Sequence, residues 1–168
     1  MNSLDPILVI DVNVIIHFEK AGLLDVLVND KNIRIVDLVL YQEYQHKKNA
    51  MSSKVSSIRV LTLSEKQMQE AYNLFLNNRR NSVFDYFCYI AARDNNFVLL
   101  TGDFKLKKVV DKFVDVYGAI WYLEHLYEKK VIDKEQLLQA YEIWLNDDMV
   151  YMPNDILLEK IEKIKQTD

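Results

Sequence analysis

Short apolar runs alternate with amphipathic stretches through most of this chain. ILVI at 7–10, IRIV at 33–36, the segment 58–63 and VLL at 98–100 are too short for helices. Each is long enough for a strand, and the continuous apolar character of the first and the last fits burial on both faces. FVDVY at 113–117 reads as a fifth strand. Between the runs the spacing is helical. Val14, Ile15, Ile16 and Phe18 give the segment after the first strand an apolar side, with Asn13 at its start and Gly22 at its break. LLDVLV at 23–28 predicts a second short helix. Asp37 is placed to cap a helix carrying Leu38, Val39, Leu40, Glu43 and Tyr44, and a polar stretch with Lys47, Lys48, Asn49, Ser52 and Ser53 follows.

Ser64 with Gln67 has capping-box spacing for a helix through Leu76. Asn77 to Asn81 is a polar, basic loop, and Ser82 caps the helix that holds Asp85. A lysine-rich helix is expected from Phe104 to about Lys112. Gly118 opens a helix to about Lys130, Asp133 with Gln136 caps another to Leu145, and Asn154 starts the last, with Ile156, Leu157, Ile161 and Ile164 on one face. Strands alternating with helices predict a central, mainly parallel sheet of about five strands with helices on both faces. The expected organisation is a single domain over 1–168, an α/β core at 1–120 and a helical C-terminal extension at 121–168.

Composition narrows the class. Half of the 168 residues are hydrophobic, which excludes a disordered chain, and three Gly with two Pro imply long regular elements. No apolar run approaches the roughly 20 residues a membrane-spanning helix needs. The start, MNSLDP, lacks a basic region followed by an apolar stretch, so no secretory signal is expected. A lone cysteine, Cys88, excludes an internal disulfide and fits a reducing cytoplasm. The net charge of −4, from 21 basic and 25 acidic residues, argues weakly against a nucleic-acid partner. Four acids gathered at a metal would leave 21 against 21, so local basic clusters weigh more than the total.

The candidate chemistry is carboxylate. Asp11 follows the first strand directly, and Asp103 follows the fourth, just past Gly102. In open α/β sheets ligands bind outside the carboxyl ends of the strands. Asp85 lies near the start of the helix before the fourth strand. Each acid also has a plain structural reading. An acid after a strand is common, Ser82 with Asp85 is itself a capping-box pair, and Glu43 alone reads as a solvated helix residue. His17, His46 and His125 lack metal-ligand spacing, Cys88 reads as core, and Trp121 and Tyr122 read as packing. There is no Gly-rich phosphate loop and no serine in a nucleophile elbow.

Taken together, VIDVNVII at the first strand, Glu43 after the second, SVFDYFCYIAA and LLTGDF resemble the PIN-domain nucleases, especially the small VapC-like toxins of bacteria and archaea. The likeness covers residues 7 to about 118. It implies a PIN-like, Rossmann-like three-layer fold. It makes Asp11, Glu43, Asp85 and Asp103 the catalytic, metal-binding acids, with Asn13 and Thr101 as polar support. Asn13 stands where the family often has Ser or Thr. The implied activity is a Mg²⁺- or Mn²⁺-dependent endoribonuclease leaving 5′-phosphate and 3′-hydroxyl ends. The implied setting is a cytoplasmic toxin with a small antitoxin partner and a homodimer, or an RNA-processing nuclease. Arg79, Arg80, Lys105, Lys107 and Lys108 are candidates for the RNA backbone.

The chemistry needs such a cluster, because Mg²⁺ is a hard cation that takes oxygen ligands. Two other classes remain open on sequence. One is a non-catalytic binding module on the same fold. The other is a Mg²⁺-dependent phosphatase, although Asp11-Val-Asn13 lacks the second acid that aspartyl-phosphate enzymes place two residues on.

Overall fold

The computed structural model describes residues 5–48 and 53–166. Asn49 and Ser52 of the polar stretch lie outside the described residues. Leu8–Ile10 (β1), Ile33–Val36 (β2), Arg59–Leu61 (β3), Val98–Leu100 (β4) and Val116–Tyr117 (β5) form one sheet in the order β3-β2-β1-β4-β5. Every pairing is parallel. β1 and β4 are wholly buried, as the unbroken apolar runs require of central strands covered on both faces. The edge strand β3 is mostly exposed.

The helices are Val12–Lys20 (α1), Leu24–Asn29 (α2), Gln45–Lys48 (α3), Glu65–Asn77 (α4), Val83–Asn95 (α5), Phe104–Val110 (α6), Ala119–Glu128 (α7), Lys134–Asn146 (α8) and Asn154–Lys165 (α9). A π-helical segment, Val39–Tyr44, leads into α3. The chain steps from β1 to β2 to β3 in one direction, then from β4 to β5 in the other. Right-handed crossovers therefore put α1 to α3 on one face and α4 to α6 on the other. The reversal falls between β1 and β4, and opens a crevice at their carboxyl ends. The register seats Ile10 beside Leu100, so Asp11 and Thr101 leave neighbouring strands at one level. The Asp11 N–H still donates to the Leu100 carbonyl at 3.2 Å.

All three predicted capping boxes form, at Ser64 with Gln67, Ser82 with Asp85, and Asp133 with Gln136. Each pairs two donors that a helix start leaves unsatisfied. α4 and α5 are tied by Arg93, whose guanidinium donates to both Glu70 oxygens at 2.5 and 3.0 Å. On the α1 side, Phe18 packs against Tyr122 of α7 and Trp144 of α8 with ring centroids 5.4 and 5.8 Å apart. The Trp144 indole N–H donates to the His17 carbonyl at 2.9 Å. The helices beyond residue 120 thus supply part of the main core.

Several boundaries differ from the sequence expectation. α1 begins at Val12 with Asp11 as its cap, and Asn13 lies inside it. The segment 113–117 is strand only at Val116–Tyr117, because the N–H groups of Phe113 and Val114 turn back to the Val110 carbonyl and carry the end of α6 onward. β3 is shorter than 58–63, as an edge strand with one neighbour has fewer partners to extend it. Pro153 occupies the cap position of α9, and Ile156 is exposed while Leu157 and Ile161 are buried.

Candidate functional site

Asp11 ends β1 and caps α1 in extended backbone, where its carboxylate accepts the Val14 N–H at 2.9 Å. Its other oxygen accepts from the Thr101 hydroxyl. Thr101 in turn accepts the Asp103 N–H at 3.1 Å. One buried hydroxyl therefore joins the two strand-end acids across the crevice. Asp103 caps α6, taking the N–H groups of Lys105 and Leu106 at 2.7 and 3.2 Å on one oxygen. Its second oxygen accepts from the Asn81 amide at 3.3 Å. Asp85 reaches the site from α5, one oxygen accepting the Ser82 N–H at 2.7 Å. Glu43 comes from the π-helical segment after β2 and pairs with Lys47 at 3.0 Å.

Burial is the largest influence on three of these acids, because a charge is poorly solvated there. Burial pushes Asp11 up to about 6, opposed by the Thr101 and Val14 hydrogen bonds and assisted by the charges of Asp85 and Glu43. Glu43 is raised by burial and by Asp85, with Lys47 pulling the other way. Asp85 is raised by burial and by Asp103, against its Ser82 hydrogen bonds and Lys47. Asp85 is thus the acid whose field links the other three. Beneath them the Cys88 thiol donates to the Ile10 carbonyl at 3.6 Å, and burial raises its pKa well above the ordinary value. It is a core thiol, as expected.

The sequence expectation missed two participants. Lys47 donates to Asn13 Oδ1 at 3.3 Å as well as pairing with Glu43, so its ammonium bridges two of the expected site residues. The Glu43-x-x-x-Lys47 spacing carried that signal. Asn81 is 4% exposed and holds Asp103, and nothing in its sequence setting announces it. Of the five basic candidates, Arg80, Lys105 and Lys108 line one cavity beside Asp103, together with Phe104 and Asn81. Arg79 and Lys107 are exposed and do not line it. His17 is buried next to the Gly102 turn and is held neutral by burial, with its pKa lowered to about 4. A cavity of about 640 Å³ lies away from the acids, at the amino ends of β1 and β2.

As placed, no three His, Cys, Asp or Glu side chains among the described residues form a group that could hold a metal ion. The donor set nevertheless fits a hard divalent ion in kind. Mg²⁺ often takes only one or two carboxylates and keeps several waters, so a tight cage is not required. Burial first, and the neighbouring acids second, raise the Asp11, Glu43 and Asp85 carboxyls, and a bound divalent charge would oppose both effects.

This raised acid has a measurable consequence. Asp11 holds its proton to about pH 6 when folded but ionises near 3.8 when unfolded. The stability it contributes is complete below about pH 4 and is lost as pH rises through 6. Over that window the metal-free native protein should lose roughly 3 kcal/mol relative to an Asp11→Asn variant, as read by urea unfolding at each pH. Parallel curves for the two proteins would show that Asp11 is not raised.

Set against known protein families, curated proteins and solved structures, the chain matches none. The class it defines is a doubly wound parallel α/β sheet, with Asp11 and Asp103 following the two strands that flank its topological switch point.

Proposed function

We propose that this chain is a divalent-metal-dependent endoribonuclease of the PIN type. The observation that supports it best is that Asp11 and Asp103 follow the carboxyl ends of the adjacent strands β1 and β4, with Asp85 and Glu43 near enough for their charges to help raise the Asp11 carboxyl. Asp11, Asp85, Asp103 and Glu43 would hold Mg²⁺ or Mn²⁺. A divalent ion bound there lowers the pKa of a water and offsets charge on the reacting phosphate. The chain's own residues set the geometry. Thr101 fixes Asp11 and the Asp103 backbone together, and Asn81 restrains Asp103. Lys47 neutralises part of the acidic charge from the Glu43 side. Arg80, Lys105 and Lys108 supply positive charge next to Asp103 for the rest of the RNA backbone.

The toxin role, the antitoxin partner and the homodimer belong to the same proposal and rest on the sequence resemblance. A short reading frame beside this one whose product co-purifies with the chain would support them.

A non-catalytic module is the second reading. The pairing of Glu43 with Lys47 and of Asp85 with Ser82 favours it, since both acids already have structural partners. Calorimetric titration with Mg²⁺ and Mn²⁺, alongside cleavage of single-stranded and hairpin RNA, separates the two. Metal binding with metal-dependent cleavage is the expected result. RNA binding with neither would establish the second reading, and hydrolysis of small phosphoesters alone would make the chain a phosphatase.

A further inference from the structure

Beside Asp103 lies a cavity of about 440 Å³ between the 78–81 loop and α6. Its wall combines three kinds of group. Arg80, Lys105 and Lys108 bring positive charge. Phe104 brings an aromatic ring that is 65% exposed, with the Lys108 ammonium 4.5 Å from its centroid. Asn81 brings a side-chain amide that is almost wholly buried, and its Oδ1 has no hydrogen-bond partner. That oxygen is shut off from solvent, so it shapes the wall and does not present an acceptor to the cavity. Although the Lys108 ammonium lies near the ring, most of the Phe104 surface is exposed and offers a base a stacking platform.

We propose that this cavity is a subsite for one unstacked nucleotide of single-stranded RNA, adjacent to the bond that is cut. The inference rests on the nuclease reading above for its position and on the cavity for its chemistry. Phe104 takes the base by stacking, which tolerates any base because each has a π face. Lys105, Lys108 and Arg80 take the phosphate of the same nucleotide. Asn81 closes the cavity wall on the Asp103 side. The same residue's amide nitrogen donates to Asp103 at 3.3 Å, and Phe104 and Lys105 follow Asp103 directly. The bound nucleotide is therefore next to the acidic crevice. A duplex cannot use this site, since the faces of its bases are covered by stacking inside the helix.

The test is binding of a short labelled single-stranded RNA to the full chain in EDTA, followed by fluorescence anisotropy across a salt series. A set of RNAs with one abasic position walked along the strand is measured beside it. Phe104→Ala should weaken binding about tenfold with an unchanged salt slope. Lys105→Gln and Lys108→Gln should each reduce the slope by ~0.7. One abasic position, neighbouring the cleaved bond, should weaken native binding as much as Phe104→Ala does, and the two losses should not add. A duplex of the same sequence should be indifferent to Phe104→Ala.

Native-like binding by Phe104→Ala, in a protein that still cleaves RNA with metal, would overturn the subsite and leave the nuclease reading standing. Phe104-dependent binding without any metal-dependent cleavage would overturn the nuclease reading, and with it the subsite's place beside a cut bond, and leave the cavity as a nucleotide-binding site. A chain that binds no RNA at all would end both. Phe104 is too exposed for its loss to unfold the protein, and an unchanged melting temperature checks this.

Discussion

Replacing Asp11 by Asn should reduce metal-dependent RNA cleavage at least about a hundredfold while leaving the metal-free protein as stable as the native one or more so. The local geometry makes the experiment clean. An asparagine oxygen can still take the Val14 N–H at 2.9 Å, and Asn caps helices as well as Asp does. Its amide can donate to Thr101 Oγ1, because a hydroxyl both donates and accepts. What disappears is one negative charge among neighbours that already repel it. Asp85→Asn and Asp103→Asn extend the comparison, since each keeps an oxygen for its cap. The rise in melting temperature that Mg²⁺ gives the native protein should shrink in all three, as ligand linkage follows affinity. Acids with a purely structural role would give the opposite pattern: lower stability and native activity. If Asp103→Asn cleaves RNA at the native rate with Mg²⁺, the proposed site is wrong at its centre.

The largest stability loss is expected at the other end of α1. Trp144 is 1% exposed, packs on Phe18 and Tyr141, and bonds the His17 carbonyl. Trp144→Ala removes the largest side chain of that core, and the cost of such a change is about 3–5 kcal/mol. Against a typical total of roughly 5–15 kcal/mol, this is a substantial share of the whole. The melting temperature should fall by roughly 6–20 °C. Trp144→Phe should cost much less. It keeps a ring against Phe18, and the His17 carbonyl retains its 3.1 Å bond from the Ala21 N–H. Equal unfolding midpoints for native and Trp144→Ala would mean that α8 is not part of the core that holds α1.

Lys20 supports the same junction by pairing with Asp147 at 2.7 Å. Both side chains are partly exposed, so this contact adds little beside the burial of Trp144.

The sequence by itself determined the class of fold and the strand-end acids. Unbroken apolar runs such as Val98 to Leu100 can be strands only if both faces are covered, and alternation with helices then requires parallel pairing. Capping boxes were legible because they are set by spacing within three residues, as at Ser82 and Asp85. Asp11 and Asp103 were legible because a strand end fixes where the next residue goes. Tertiary structure decided what depends on distant segments meeting. The strand order puts β1 beside β4, and that alone brings Thr101 between Asp11 and Asp103. A π-helical turn breaks the 3.6-residue period around Glu43, so local spacing did not say that burial would hold it near Asp85. Asn81 meets Asp103 across 22 positions of sequence, and no local pattern records a contact that only packing creates. Among five exposed cations of equal local appearance, the placement of α6 beside the 78–81 loop chose Arg80, Lys105 and Lys108 as the three that share a cavity with Phe104.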